Sequence, residues 1–552
     1  MTDKQALCDK FYDIDNLITI AVSMTTMDWQ ALKDAQPRGG RCNTDFTGDR
    51  YDWFKANITV SGSKYPKSTS FPGVGIIKKS YCGSFSTSKP AFRLDFGKFT
   101  DNGDAIVGLI GTKNVTLNNS IQDSSYVRQP LGYELFRQAG LPYCRCNFAK
   151  VVVNGTNMGV YVNVEPIKKR LLQHCFAGND EGNAYEIEIG EDLDPTVVNA
   201  GRISFEGFSD HKNLADLKLA ASKVASEGLS GAKQVIDWDQ FLKLYAMEFL
   251  LKHWDGYTTN KNNTYLYNDT KPVENPTTSN VKFKFIPSGI DQILQEDRDF
   301  VLGGSSILGL LMRTDFQKGS NSTEKMKFYG VMRNYATTIF DRDNYEKVLT
   351  PLIDRMETRL TGAGVTGISD KISIVKKQLK LVKSGAICMM AELPTGSVHV
   401  LNRTTLDCMH ASNTEFVAGG SVPNGPFEVY HTQPSDALAD RWYVQSADNK
   451  FHVKFKNRQY GTWLRCDKSV KTPGDALNVY AAHDDPNDGN NFAMRFTGNK
   501  DDSAWHYSGF FVLQSAVTNN YVGFSDSDLT SKGRKEVLQS SSITDLAKFF
   551  WF

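Results

Sequence analysis

The sequence predicts an α+β domain over residues 1–390 followed by an all-β domain over 391–552. Three observations predict it. The first ~105 residues read as strands bounded by Gly, Pro and Ser. Helical patterns and further strand pairs then alternate up to residue 390. Beyond it the chain turns to short strands and Gly/Asn/Asp turns arranged in three repeats. With 552 residues the chain is also too long for one core.

The runs Leu17–Val22 and Ala56–Val60 are β-rich. Pro90–Phe96 alternates, with Phe92, Leu94 and Phe96 on one face and Arg93 and Asp95 on the other. Asp123-Ser124-Ser125 offers helix caps, Val127, Leu131, Leu135 and Ala139 follow at helical spacing, and Gly140 terminates the pattern. Ala149–Val153 and Met158–Val164 are strands joined by Asn154-Gly155, a hairpin turn. Lys168–Leu172 opens a helix. A longer helix starts at Asp237 and buries Phe241, Leu244, Tyr245 and Phe249 before reaching His253-Trp254-Asp255. Strands at Thr264–Tyr267 and Lys282–Ile286 bracket a polar loop, and helices fill most of 305–385.

In the last domain, Val429-Tyr430, Val479-Tyr480 and Val537-Leu538 each precede an aromatic residue by 13 positions: Trp442, Phe492 and Phe550. Each repeat opens on a similar strand, at Val398–Leu401, Phe451–Phe455 and Phe510–Leu513. Three repeats of four short strands describe a β-trefoil; a β-sandwich with accidental similarity is the alternative.

Sixty-three Lys and Arg balance 62 Asp and Glu, a net charge of +1. That argues against nucleic acid or an anionic membrane as the dominant partner. No apolar run reaches the ~18 residues of a membrane span. The N-terminus carries acids early and does not read as a signal peptide, which leaves the compartment open. The nine cysteines form no disulfide ladder or metal spacing and read as plain thiols.

The sequence holds no HExxH, no GxSxG and no Cys/His zinc spacing. Asp255 with Asn260 five residues later, between a helix and a strand, has the spacing of a kinase catalytic loop. Phosphoryl transfer needs a carboxylate for the attacking hydroxyl and an oxygen ligand for Mg²⁺. A plain helix C-terminal turn is the alternative. Asp291 follows the strand Lys282–Ile286 after a short turn, where kinases keep a metal-binding Asp; a helix cap has the same appearance. A cation over the phosphates is expected upstream, at Lys89 or Arg93, with Glu134 as its acid partner; Arg93 on the outer face of a strand and a solvated Glu134 are the alternative. Ser84, Ser86, Thr87 and Ser88 offer phosphate donors or form an ordinary polar turn, since no full GxGxxG is present.

Several segments together resemble the spore coat protein H (CotH) family of atypical protein kinases. They are Val74-Gly75-Ile76 with Lys78-Lys79, Lys89–Phe96, and Leu117-Asn118-Asn119 with Asp123-Ser124 and Val127-Arg128. Val153-Asn154-Gly155 is next, with Gly159-Val160-Tyr161 and Glu165, then His253–Tyr257, Asn262–Tyr267 and Phe285-Ile286-Pro287 through Asp291-Gln292. The resemblance runs over about 15–300 and implies a divergent two-lobed protein-kinase-like fold. It implies transfer of the ATP γ-phosphate to Ser or Thr of a protein substrate, with Mg²⁺ or Mn²⁺. It makes Asp255 the catalytic residue, Asn260 and Asp291 the metal ligands, and Glu165 part of the segment that holds the base. Two departures stand out: the loop Asn268–Asn280 is long, and Ser288-Gly289 stands where Trp-Asp or Trp-Gly is expected.

The trefoil lies outside this resemblance. A glycan or protein ligand is expected there, with Tyr460, Trp463 and Trp505 as an exposed platform and Trp442 as packing. The competing readings are a surface or adhesive protein with an inactive kinase-like domain and a lectin-like effector.

Overall fold

The computed structural model describes residues 3–390 except 44–45, 47–48, 178 and 208–213. Within 397–552 it describes all but 403–404, 416–426, 436, 447–451, 461, 472–476, 483–491, 499–505, 516–517, 519, 530–534, 541 and 543–547. The chain divides into two compact units, Met1–Val331 with Asp343–Gln378, and Met332–Arg342 with Leu379–Phe552.

Alternating apolar residues build a barrel in the first unit. In Ile18–Ser23 (β1) Ile18, Ile20 and Val22 are buried and the residues between are less so. Trp53–Gly62 (β2), Tyr65–Lys78 (β3), Phe92–Asp95 (β4), Asn114–Asn118 (β5), Cys146–Val153 (β6) and Thr156–Val164 (β7) close the ring in the order β1-β2-β3-β4-β5-β7-β6. Neighbours are antiparallel except β1 and β6, whose parallel pairing completes the closure. Closure leaves no free edge. Asn154 and Gly155 take φ of 46° and 82°, the left-handed pair that a two-residue hairpin turn requires.

Three helices correct the expectation of strands alone in the first ~105 residues. They are Asp3–Phe11 (α1), Thr26–Asp34 (α2) and Gly103–Ile110 (α3), and they add Cys8, Phe11, Leu32, Ile106 and Ile110 to the barrel core. Helices this short leave a weak periodic signal, and the apolar run of α3 reads equally as a strand. Cys42 and Cys82 form a disulfide across 40 residues, which corrects the reading of all nine cysteines as thiols. A pair so far apart in the chain leaves no spacing signature. Cys8, Cys144, Cys408 and Cys466 are buried thiols.

Arg128–Gln138 (α4) packs beneath the barrel; its N-cap is Val127, which has no side-chain cap, and Asp123 reaches the first turn from further upstream. The Asp123 carboxylate accepts from the backbone N–H of Ser125 and Arg128 and from the Arg128 guanidinium, at 3.0, 3.0 and 2.6 Å. Next come Lys169–Cys175 (α5), Asn183–Ile187 (β8), Pro195–Asn199 (α6), Ser204–Gly207 (β9) and Ala215–Val235 (α7). Trp238–Leu250 (α8), Tyr257–Asn260 (α9), Thr264–Asn268 (β10) and Phe283–Pro287 (β11) complete the series. The four strands make an antiparallel sheet ordered β11-β10-β8-β9. Asp237 caps α8, and Phe241, Leu244, Tyr245 and Phe249 are buried as the spacing predicts. Every residue of β10 is buried, so this strand is a rigid support for the loop that precedes it.

The second unit carries three hairpins: Cys408–Glu415 with Phe427–Thr432, Trp463–Lys471 with Leu477–Ala482, and Tyr521–Leu529 with Lys535–Ser540. Their second strands pair with one another, at Glu428 with Tyr480, Tyr430 with Glu536 and Asn478 with Leu538. The repeat landmarks Val429, Val479 and Val537 are buried in one core with Trp442 and Phe492. Trp463 is buried too, at 7% exposure, under the Lys456 ammonium 5.1 Å from its ring, so it is not an exposed platform. Tyr460 is half-buried against the same core, and Trp505 lies outside the described residues. Among the described residues no helix is long and apolar enough to cross a membrane.

Candidate active site

The turn after α8 gathers amides around one carboxylate. Asp255 Oδ1 accepts from the side-chain amides of Asn260 at 2.6 Å and Asn262 at 3.1 Å. Its Oδ2 and its carbonyl oxygen both accept from Asn263 Nδ2, at 2.9 and 3.0 Å. A carboxylate has about four lone-pair sites, so room for a further hydroxyl donor remains. Neutral amides fix its orientation without supplying a cation.

Beneath the turn sits Glu248, 2% exposed. It accepts from the N–H of Tyr257 at 3.1 Å, the N–H of Thr258 at 2.9 Å and Thr258 Oγ1 at 2.6 Å. It therefore closes the start of α9, the helix that presents Asn260. Burial pushes its pKa up to about 7, against those three hydrogen bonds. His253 is buried beside it, and burial pushes its pKa down to about 4 with the nearby Asp255 charge opposing. A neutral imidazole in that position packs the turn and is no base for a reaction at Asp255.

A second segment is tied to the first through Asn263. Ser288 N–H donates to the Asn263 carbonyl at 2.9 Å. Gly289 is next, with φ of 54°, and a Cβ there would meet Asn263 Oδ1 at 2.1 Å. Glycine is thus required twice over, by backbone hand and by contact. The departure Ser288-Gly289 serves this join. Gly289→Ala is expected to lower stability in urea by on the order of 2–3 kcal/mol. The control Gly140→Ala, also left-handed at φ 68° but with open space at its Cβ, is expected to lose only about 1 kcal/mol.

Asp291 sits on the short 3₁₀ turn Ile290–Gln292. It is 9% exposed, and Asn118 Nδ2 at the end of β5 donates to its Oδ2 at 3.2 Å. The same Asn118 amide donates to Gln129 Oε1 on α4 at 3.0 Å. Burial pushes the Asp291 pKa up to about 6; the Asn118 hydrogen bond and Lys79 oppose this, and Asp123 adds to it. Lys79 comes directly after β3. Its pKa is lowered by burial and Arg93 and supported by Glu186 and Asp291, which sets these four charges in one neighbourhood. Its side chain is nonetheless exposed. Lys78 points to the opposite face of the strand, where its ammonium donates to the carbonyls of Lys33 and Ala35 at the end of α2, at 2.8 and 2.9 Å.

Asn260 thus bonds Asp255 directly, and Asn263 ties Asp255 to the turn that leads into Asp291. The other expected residues lie elsewhere. Lys89 Nζ donates to the Val160 carbonyl at 2.8 Å and Tyr126 OH at 3.1 Å, between the rings of Tyr126 and Tyr161, and burial pushes its pKa down to about 8. Glu134 accepts from Arg137 at 2.6 and 2.7 Å and from Gln138 at 2.8 Å, so it pairs with neither Arg93 nor Lys89. Five residues along a helix turn a side chain by about 140°, which is why Gln129 and not Glu134 meets Asn118. Arg93 is half-buried in β4, in reach of Lys79. Glu165, 2% exposed, is held by Arg145 at 3.0 Å, with His174 Nε2 3.1 Å away. Lys79, Asn118, Gln129 and Asn263 carry no role on sequence grounds alone. Strand alternation was a usable signal for Lys79, since Ile76 and Lys78 face one side and Lys79 the other.

A family profile described as "CotH kinase protein" matches residues 80–361, just over half of the chain. The chain is 24% identical over 198 residues to the invasin CotH7 of Rhizopus delemar, a match covering 33% of this chain and 31% of that protein. It is 24% identical over 163 residues to the inner spore coat protein H of Bacillus subtilis, covering 27% of this chain and 44% of that one. The chain therefore spans less than half the length of these curated relatives. Among solved structures it is similar to the designed three-fold symmetric protein ThreeFoil (15% identity, TM-score 0.22, 28% of this chain and 96% of that one). It is also similar to a Polyporus squamosus lectin (12% identity, TM-score 0.21, 28% of this chain and 48% of that one). TM-scores this low assign neither a fold nor a ligand.

Proposed function

This chain belongs to the CotH kinase protein family, and from that premise we propose that it is a metal-dependent phosphotransferase that moves the γ-phosphoryl group of ATP to a Ser or Thr hydroxyl of a protein. The observation that carries this is the join made by Asn263, which ties Asp255 to the Ser288-Gly289 turn that leads into Asp291. In this fold the barrel with α4 and the helix-backed sheet would be the two lobes of a divergent kinase.

The donor set fits a hard divalent cation. Asp291 is a buried carboxylate whose charge is disfavoured by burial, and a cation relieves that cost. Asn260 adds an amide oxygen, since its nitrogen is spent on Asp255. Among the described residues no three His, Cys, Asp or Glu side chains gather at one point. Ligands beyond Asp291 and Asn260 would come from phosphate oxygens and water, as Mg²⁺ accepts and Mn²⁺ tolerates. Bound there, the ion would neutralise charge on the phosphates.

In this mechanism Asp255 orients the acceptor hydroxyl and takes its proton as the new O–P bond forms and the bond to the leaving ADP breaks. Asn262 and Asn263 hold that carboxylate in place. Lys79, beside Arg93, takes the phosphate-binding role expected of Lys89 or Arg93. Lys79→Met is expected to raise the KM for ATP by roughly tenfold or more, the worth of one charge-assisted hydrogen bond. Lys89→Met, whose ammonium is spent on Val160 and Tyr126, is expected to leave it within about threefold.

The second unit would direct the enzyme to its target. Three hairpins whose inner strands pair mutually support a β-trefoil, and a trefoil offers a glycan- or protein-binding surface. The relative named as a spore coat protein supports an exported or surface role. The relative named as an invasin favours a second reading, an adhesive or lectin-like surface protein with an inactive kinase-like domain.

Phosphate transfer from γ-labelled ATP separates the two. Incorporation into the chain itself or a generic protein with Mg²⁺ or Mn²⁺, lost on chelation, is the expected result. No incorporation together with no metal-dependent ATP binding would overturn the proposal in favour of the adhesive reading.

A further inference from the structure

Cys42 lies between α2 and β2 and Cys82 between β3 and β4, so their disulfide ties two loops where β2 starts and β3 ends. Both half-cystines are exposed. Both also take a left-handed backbone, with φ of 58° and 50°. A residue with a side chain reaches that region at a cost in free energy and stays there only where its surroundings hold it. Here each half-cystine is held by a bond to another residue under the same strain. Exposed or strained disulfides are the ones that thiols open readily.

Cys82 opens the short 3₁₀ turn Cys82–Ser84, which follows Lys79 closely in the chain. The disulfide and a hydrogen bond from Tyr81 OH to the Asn43 carbonyl, at 2.7 Å, tie this turn to the other loop. On its far side the Asn119 amide donates to the carbonyls of Ser84 and Lys89, at 2.9 and 2.8 Å. Asn118, the preceding residue, is the one that donates to Asp291. Lys79 is anchored separately. Its N–H donates to the Ala91 carbonyl at 2.8 Å, and the Ser80 carbonyl accepts from Tyr51 OH at 2.5 Å. Opening the disulfide therefore loosens the turn and leaves the end of β3 in place.

We propose that Cys42–Cys82 is a site of thiol–disulfide exchange, opened by a dithiol reductant, which sets whether the turn Cys82–Ser84 is ordered. A thiolate of the reductant attacks one sulfur and the S–S bond breaks; the second thiol of the reductant then displaces the mixed disulfide. Cys42 and Cys82 take up two electrons and two protons and become thiols, while the reductant becomes a disulfide. Both cysteine backbones then relax out of the left-handed region. The exchange stands independently of phosphate transfer. Its bearing on ATP rests on the phosphotransferase reading, in which Lys79 meets the phosphates and Asp291, held by Asn118, meets the metal.

Dithiothreitol is the reductant for the test, applied to the folded full chain after its accessible thiols are blocked with N-ethylmaleimide. A second maleimide and peptide mass spectrometry then read which cysteines were released. Cys42 and Cys82 are expected to be reduced at a rate within roughly tenfold of that in urea. Protection of the pair until the chain unfolds would overturn the proposal. Hydrogen exchange separates a switch from a structural staple. On reduction, the peptide spanning 82–89 is expected to exchange about tenfold faster or more, with β4 unchanged. Equal quickening in both segments, or in neither, would overturn it. Cys42→Ser combined with Cys82→Ser is expected to match the reduced chain with or without oxidant; should it fail to fold, wild type reduced and reoxidised decides alone. The Kd for ATP with Mg²⁺ is expected to rise about three- to tenfold on reduction and to recover on reoxidation. Equal ATP binding in both states would overturn the link to the site. No ATP binding in either state would instead sink the phosphotransferase reading and leave the exchange site standing.

Discussion

Asp255→Ala and Asp291→Asn are both expected to abolish the proposed phosphate transfer, by different routes that binding measurements tell apart. Asp255 is fixed by three amides in the orientation that receives an acceptor proton. Its removal would delete the proposed general base, worth about 10²–10⁴ in rate. It leaves Asp291 and Lys79 in place, so metal-dependent ATP binding is expected to survive. Asp291→Asn removes the buried charge that would hold the cation. Metal-dependent ATP binding is then lost together with transfer. Retention of metal-dependent binding by Asp291→Asn would remove this carboxylate from the metal site.

Stability gives a second readout on Asp291. Its folded pKa, about 6, lies above the ordinary carboxylate value of 3.8. The folded state then holds a proton that the unfolded state has released, so this group's contribution falls as pH rises through that window. At pH 7 without metal the charge costs on the order of 1–3 kcal/mol. Asp291→Asn, which keeps the shape and an acceptor for Asn118, is therefore expected to be more stable than wild type at pH 7 and not at pH 4. A carboxylate that the metal-free protein would be better off without is what the proposed metal-binding role expects. An unchanged or lower stability at both pH values would mean that the burial cost is already met.

Much of this was legible in the residues. Period-two alternation marked β1 and β4, Asn154-Gly155 marked the β6–β7 turn, and Asp237 marked the start of α8, because each rests on local geometry. The Asp255–Asn260 spacing is local too, set by one turn between a helix and a strand. Asp291 was singled out from its place after β11, and its metal-binding role is a proposal. What the sequence concealed is side-chain choice across distance. Glu134 is the one acid at mid-helix on α4, yet helix rotation gives it to Arg137 and turns Gln129 toward Asn118. Glu165 comes after a strand where a nucleotide contact was expected, but Arg145, 20 positions earlier, takes it. Lys78 and Lys79 are chemically identical, and only the pleat of β3 separates a lysine that caps a helix from one set among Arg93, Glu186 and Asp291. The Cys42–Cys82 pair is hidden for the same reason, as two residues that meet only through the fold.

Glu248→Ala is expected to cause the largest loss of stability. Three donors end on this carboxylate: two backbone N–H groups and the Thr258 hydroxyl. Truncation strands them in a fully buried place where water does not replace the acceptor, at about 3–5 kcal/mol in total. In thermal melts of the full chain that corresponds to a fall of on the order of 10 °C in the midpoint of the affected transition. Glu248→Gln keeps one oxygen and turns an amide toward a donor, so a smaller loss of about 1–2 kcal/mol is expected. The isostere has its own signature in pH. The Glu248 pKa in the fold, about 7, exceeds its ordinary value of 4.5, so wild-type stability falls as pH rises between them. Glu191 and Asp291 titrate with the same sign, pushed up to about 7 and about 6. Glu248→Gln is therefore expected to show a shallower decline over that window, not a flat one; a slope equal to wild type would mean that Glu248 does not titrate there. Because the Glu248 carboxylate is hydrogen-bonded to Tyr257 and Thr258 and not to Asp255 itself, the same variant is expected to lower the rate of transfer with little change in the KM for ATP. That split is the signature of an acid whose function is to hold the start of α9, and with it Asn260 against Asp255.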